Sequence, residues 1–506
     1  MLRWTCFLGF CGLAAAGALP TPEPQPQLPV FQSGTRLVEV EVVVRGKDGP
    51  VKGLTKEDFK VLDQGKPQRI DVFRAGPAAE NSAPVPLAPG VVSNRVDRKG
   101  EALPSATAVL FDQLNVRLDF KGYERQQVLN FMRALKAEDR VAIYSLGKNL
   151  HVLQDFTDDP QRLLAAVTKL DQGRDLMPAN VEGALFDLPV DMEGTIVPLN
   201  SGDPITDGMY VSAIMNTAGV TTQVYGAIND QTTIEALKRI VAHLSGMPGR
   251  RNLIWVKETP SVPPAVMGML QRANITLYPV MIRTVTMKGN IFAIQHAAQD
   301  LAAATGGASF NDAGDLHTAM KTAEEDSLSA YTLGYYPAED VLDGKFHRLA
   351  VTVAGMKNAN LEVRYRPGYV ASKQPLSMAA PSTAAAINEF LETPLDATAV
   401  GLTGKIEADP ARPDAHRVQV TVDLHDVHLE RQGDRNVGTI EIAYVLGANI
   451  RLGTIRISLT DPQLTQTLQT GYITNLAGVE TVGTSVRVLV RDPATGAAGS
   501  LKIPVR

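Results

Sequence analysis

The sequence predicts an α/β domain with a parallel sheet, inserted between two halves of a β-sandwich and followed by a second β-sandwich. Three observations predict it. Strand and helix patterns alternate through most of residues 105–330, which is the signature of a parallel sheet. The short strands on either side, in 35–75 and 331–370, make two pieces that are each too small to bury a core. We read them as one sandwich opened by an insertion, an arrangement tolerated where chain termini lie close together. Beyond residue 393, apolar residues alternate along each strand, as in Val418, Val420, Val422 and Leu424, giving one buried face per strand.

The totals agree with a multidomain product. A chain of 506 residues is too long for one core and divides into about three domains. A hydrophobic content of 44% and a charged content of 20% are ordinary for a globular protein. The formal net charge of −5 leaves no electrostatic footprint for nucleic acid. Arg3, an apolar run from Trp4 to Ala16 and the small residues Ala16-Gly17-Ala18 form a secretory signal peptide over 1–18, too short for a membrane span. Cys6 and Cys11 both lie inside it, so the mature chain has no cysteine and no disulfide, zinc–thiolate site or cysteine nucleophile. Phe10 before Cys11 argues against lipidation there. No later apolar run is long enough to span a membrane, so an exported product is expected, periplasmic or extracellular.

In chain order, a Pro-rich leader occupies 19–34. Val38, Val40, Val42 and Val44 then share one face of a strand, and short strands over 59–62 and 70–73 flank a turn at Asp63-Gln-Gly65. Residues 76–104, rich in Pro, Ala, Gly and Ser, read as a linker. The 105–330 domain opens on the apolar run Ala108 to Phe111, a strand ending at Asp112. A helix over 123–136 follows, with Val128, Phe131, Met132 and Leu135 on one stripe. Further strands are expected over 140–145, 150–156, 252–256 and 275–281. Helices are expected over 233–245, 264–273, 291–304 and 316–330. Residues 171–228 show no clear period and read as an irregular insertion or lid. Strands resume over 331–335, 347–353 and 361–365; 371–392 is a second linker, and 393–506 is expected to be all-β.

Several of these segments resemble a known family. Gly53-Leu-Thr-Lys-Glu-Asp-Phe59, Asp63-Gln-Gly-Lys-Pro67, Leu110-Phe-Asp-Gln-Leu-Asn115 and Gly246-Met-Pro-Gly-Arg-Arg-Asn-Leu-Ile-Trp255 carry the likeness. Ala304-Thr-Gly-Gly307, Tyr331-Thr-Leu-Gly-Tyr-Tyr-Pro337, Asp343-Gly-Lys-Phe-His347 and Arg366-Pro-Gly-Tyr369 extend it. In order and spacing they resemble the von Willebrand factor A-type proteins, and more closely an acidobacterial family of exported proteins built around such a domain. The resemblance covers roughly 35–370 and implies that 105–330 is a Rossmann-like domain of that type.

Such domains commonly hold Mg²⁺ in a metal-ion-dependent adhesion site, where Asp-x-Ser-x-Ser follows the first strand and a Thr and an Asp come from later loops. Mg²⁺ asks for about six oxygens in octahedral array. Here Asp112 matches, but the serine positions hold Leu114 and Val116, and Lys257 stands where it would repel a cation. Asn115 and Glu258 can each supply an oxygen, so the candidate ligands are Asp112, Asn115 and Glu258 of a degenerate site. No cofactor is expected, and Mg²⁺ is the ion such a site would take. Otherwise Asp112 caps the loop that follows it.

Other constellations carry less. Asp423-Leu-His425-Asp426-Val-His428 has metal-binding residue types, but on a strand the two histidines point to opposite faces, and a solvated turn explains them better. Glycine and proline in Gly246-Met-Pro-Gly-Arg-Arg251 suit a helix-to-strand turn, although the arginines can touch an anion. Met209, Met215, Tyr210 and Tyr225 suit core packing of the insertion more than a sticky surface. No nucleophile elbow, phosphate loop or zinc-protease motif occurs. The expected function is therefore a non-enzymatic, exported protein–protein interaction module with an unidentified protein partner. The alternatives are an exported hydrolase using acids such as Asp187 and Asp191 under the 171–228 segment, or a structural envelope component.

Overall fold

The structure is a computed structural model. It describes residues 37–76, 87–95, 105–114, 141–157, 159, 161–163, 165, 209, 227–247, 249–257, 262–281, 291–311, 315–337, 344–354, 361–371, 387, 395–479 and 483–505.

Period-two valines build the first β body. Val38, Val40, Val42 and Val44 of the strand Val38–Gly46 are all buried. That strand pairs antiparallel with Tyr331–Tyr335 on one side and Glu362–Tyr365 on the other, and Val72–Ala75 completes the row. A second antiparallel sheet runs Gly368–Val370, Phe346–Val353, Phe59–Asp63, Lys66–Gln68. Both sheets feed one apolar cluster, in which Val40 and Leu333 meet Phe59, Val61 and Val351. The turn between Asp63 and Lys66 places both Gln64 (φ 49°) and Gly65 (φ 79°) in the left-handed region, the geometry of a tight hairpin.

The next sheet has the order Ile275–Met281, Arg250–Lys257, Ser105–Asp112, Val141–Leu146, Leu150–Thr157. Its first three pairings are parallel and the last is antiparallel. On one face, Leu110, Leu253 and Trp255 pack against Leu237 and Val241 of a helix over 227–244 and Leu270 of the helix Pro264–Arg272. On the other, Val109, Ile254 and Val256 meet Ala319 and Ala323 of the helix Leu316–Ser329.

The fold class expected from the sequence needs correction. An α/β protein with a Rossmann-like von Willebrand factor A-type core between sandwich halves is not what the described residues form. They are mostly β: four of the five sheets are wholly antiparallel, and few helices stand beside 23 strands. The physical reason is local. Alternating apolar residues and two-residue turns, such as Gly447-Ala448 between Leu446 and Asn449, recur through the chain and close hairpins rather than β-α-β crossovers. The strand–helix alternation that suggested the α/β class belongs to a single mixed sheet, and the expected helix over 123–136 lies outside the described residues.

The C-terminal region is a pair of antiparallel sheets around one cluster that includes Val418, Val420, Ile440, Val488 and Ile503. Two details depart from expectation. Within 76–104, expected to be a linker, Val92–Ser93 pairs with Leu402–Asp409. Asn94 secures it, its amide donating to the carbonyls of Ala397 (2.7 Å) and Val400 (2.9 Å) while its oxygen accepts from Leu402 N–H (2.7 Å). The region expected to be all-β also contains the helix Asp461–Thr470, started by a reciprocal capping box between Thr460 and Gln463 with proline in the first turn. Its Leu464 and Leu468 pack on the sandwich cluster. Among the described residues no helix is long and apolar enough to cross a membrane.

Candidate functional site

The candidate site forms where two parallel neighbours end. Ser105–Asp112 and Arg250–Lys257 run side by side with Leu110 opposite Trp255 and Phe111 opposite Val256. One step further along that register lie Asp112 and Lys257. Side chains two apart on a strand share a face, so Leu110 and Asp112 stand with Trp255 and Lys257 under the 227–244 helix.

The resulting arrangement is sealed. Asp112 is 0% and Lys257 2% exposed, and Lys257 Nζ lies 4.0 Å from Asp112 Oδ2. The amine also stands 4.1 Å from the centre of the Trp255 ring, within range of cation–π attraction. Burial pushes the Lys257 amine below its usual range, and the carboxylates of Asp112 and Asp230 pull the other way. Leu114 packs against the apolar cluster, and the Gln113 N–H donates to the Leu146 carbonyl (2.8 Å).

Among the described residues, Asp112 and Leu114 do not make a ligand set for a divalent ion. A cation-ready site needs several oxygens converging on one open position, whereas the Asp112 carboxylate faces an amine and the position two residues on is a leucine turned into the core. Asn115 and Glu258, the other candidate ligands, lie outside the described residues, as do Asp187, Asp191, Met215, Tyr210 and Tyr225. Among the described residues no group of three or more His, Asp, Glu or Cys side chains is placed to hold a metal. His425 sits in a 3-10 turn with its ring Nδ1 2.8 Å from Asp423 Oδ1, while His428 Nε2 is 3.5 Å from Glu430.

The segments that carried the family resemblance have a structural use. Asp63, at the hairpin, is buried and accepts from the hydroxyls of Tyr335 (2.8 Å) and Tyr369 (2.7 Å), with His347 Nδ1 at 3.0 Å from its other oxygen. Four separate motifs thus converge on one carboxylate. Asn252, from the motif ending at Trp255, donates to Thr107 (3.2 Å) and Ser327 (2.9 Å) across the mixed sheet. At Gly307 a Cβ would lie 2.0 Å from the Leu277 carbonyl, so only glycine lets the chain pass.

Sequence reasoning missed a charged seam between the first β body and the mixed sheet. Asp326, 0% exposed, accepts from Arg45 (2.9 Å), Arg364 (2.7 Å) and the Tyr278 hydroxyl (2.8 Å). Nothing in the local pattern marks Asp326, which lies in a helix beside two glutamates. The signal was Arg45, an arginine ending a strand of valines.

No family model matches the chain, and no curated protein does. Among solved structures, one of an aerotolerance-related membrane protein from Bacteroides fragilis NCTC 9343, with multiple mutations to serines, aligns over 44% of this chain and 98% of its own. At 9% identity and a TM-score of 0.24, that likeness carries no argument.

Proposed function

We propose that this is an exported, non-enzymatic protein-binding module related to the von Willebrand factor A-type proteins, with its adhesion-type metal site lost. The observation that carries the reading is the sealed Asp112–Lys257 pair, in which an amine stands 4.0 Å from the carboxylate that a metal would need. The same amine stands 4.1 Å from the centre of the Trp255 ring. Partner binding of this kind is independent of divalent ions. The motif resemblance over roughly 35–370 supplies the class of partner, another protein.

Two measurements test it. Calorimetric titration of the mature protein with Mg²⁺, Mn²⁺ and Ca²⁺, beside Asp112→Ala, is expected to show no heat that depends on Asp112. Saturable heat lost in the variant would overturn the metal-free reading. Immobilised protein exposed to an envelope extract is expected to retain the same protein with Mg²⁺ or with chelator, and retention only with the metal would sink it.

A further inference from the structure

The longest unpartnered edge among the described residues belongs to the strand Asn449–Thr460. It pairs with Arg435–Leu446 along its whole length and with no other described strand. Along an antiparallel pair, alternate residues turn their N–H and C=O groups away from the partner, so over 449–456 this edge presents a row of backbone groups with no partner among the described residues. The two strands of the hairpin differ sharply. Ile440, Ile442, Tyr444 and Leu446 are buried, whereas every residue of 449–454 is exposed, Ile450 at 43% and Leu452 at 61%. The helix Asp461–Thr470 turns back onto the sandwich through Leu464 and Leu468, and leaves 449–454 uncovered.

Charge identifies what fits. The strand carries Arg451 and Arg456 and no acidic residue, on a chain whose formal net charge is −5. Neither arginine has an ion-pair partner among the described residues. A second copy of this strand would offer no carboxylate to either arginine in any register, and with its centre between Gly453 and Thr454 it would set arginine against arginine. We propose that this edge is a docking site for an extended, acidic segment of a partner protein, which adds to the sheet as a further strand. Main-chain hydrogen bonds along 449–456 hold the segment, Ile450 and Leu452 take its apolar side chains, and Arg451 and Arg456 select carboxylates five residues apart. The surface lies on a different sheet from the Asp112–Lys257 pair, and its assignment stands or falls without it.

The test is fluorescence anisotropy with the mature protein and a labelled peptide, Thr-Glu-Thr-Thr-Thr-Val-Glu-Val, which added antiparallel sets its glutamates against Arg456 and Arg451 and its valines against Leu452 and Ile450. Saturable binding is expected, and about tenfold weaker binding to the double variant Arg451→Glu, Arg456→Glu. That variant is expected to prefer the same peptide with lysine for glutamate, a gain that misfolding cannot produce; thermal unfolding of both proteins checks their integrity. A peptide N-methylated at each valine and threonine keeps its charges but cannot pair, and is expected not to bind. Binding of the N-methylated peptide, or equal binding by the charge-reversed variant, would overturn strand addition. A sedimenting dimer that Leu452→Lys dissolves, with no peptide bound, would assign the edge to a second copy and overturn the acidic partner.

Discussion

The mixed sheet is joined to its two neighbours by seams of different chemistry. Toward the first β body the seam is built on arginine. Asp326 holds Arg45, Arg364 and Tyr278, and Arg250 reaches Glu41 (3.2 Å), the Tyr278 hydroxyl (3.4 Å) and the Gly306 carbonyl (3.3 Å). Burial works against the Arg250 charge, but Tyr278, Glu41 and Asp326 outweigh it and hold the guanidinium above its usual range. Toward the C-terminal sandwich the seam is built on histidine. His243 Nδ1 lies 2.6 Å from the Asp396 carbonyl and Nε2 3.0 Å from Asp155 Oδ1, with the ring stacked on Phe156. Thr398 adds backbone ties, its hydroxyl donating to the His243 carbonyl (2.7 Å) and accepting from Gly246 N–H (2.9 Å). Both acceptors facing the ring lack protons, so only the imidazolium can make both bonds. An arginine seam is permanent across physiological pH; a histidine seam is conditional.

The largest expected effect breaks the arginine seam. Asp326→Ala leaves Arg45 and Arg364 facing a hole where their shared carboxylate stood. Removing one partner from a buried ionic cluster costs about 3–5 kcal/mol. Denaturant unfolding is expected to show that loss equally at about pH 6 and about pH 8, because arginine keeps its charge across that interval. A strongly pH-dependent loss would dissolve the contrast between the seams.

The histidine seam predicts the opposite dependence. Burial opposes the His243 charge, but the hydrogen bond and the charge of Asp155, with the Asp396 carbonyl, raise its proton affinity above the ordinary value. A raised folded-state value means that the stabilisation is complete below the unfolded value of about 6.5 and is lost as pH rises through the folded one. The thermal midpoint of the C-terminal sandwich is therefore expected to fall as pH rises from about 6 through the neutral range. Burial also raises the Asp396 carboxyl, with Arg487 pulling the other way, so its titration has the same sign and must be separated from that of histidine. His243→Gln does so: the variant is expected to lose the neutral-range slope and keep any acid-side one. An unchanged slope would assign the dependence elsewhere.

What could be read from the sequence follows from how local each signal is. The hairpin at Asp63-Gln-Gly65 was legible because a two-residue turn with positive φ at both central positions asks for such residues. So was the strand Val38–Gly46, whose valines keep strict period two. The convergence of Tyr335, His347 and Tyr369 on Asp63 was not, because each partner comes from a different strand and only the folded sheets bring them together. Lys257 was legible as a cation next to the candidate site, but its placement over Trp255 and against Asp112 depends on the parallel register of two strands far apart in sequence. The helix Asp461–Thr470 had a readable start in Thr460-Asp-Pro-Gln463, obscured by the alternation on either side. The weight given to strand–helix alternation over 105–330 misjudged the class, since a hairpin-rich chain can carry one sheet with parallel pairs.

The smallest expected effect shows that burial, not ion pairing, gives the seams their strength. Glu39, Glu41 and Arg45 stand on the same face of one strand, alternating with the buried valines. Arg45 meets Asp326 and Glu41 meets Arg250, where the helix Leu316–Ser329 and the neighbouring sheet cover that face. Glu39, a little further along, pairs at 3.4 Å with Arg74, and both side chains are nearly half exposed. In water the attraction is screened and the ordering of two long side chains offsets it, so Arg74→Gln is expected to cost about 0.5 kcal/mol or less. Denaturant midpoints of Arg74→Gln and Asp326→Ala, measured side by side, read the difference directly. A loss in Arg74→Gln comparable to that in Asp326→Ala would mean that the charge pairs of this strand act alike wherever they stand, and that the covering helix and sheet add nothing to them.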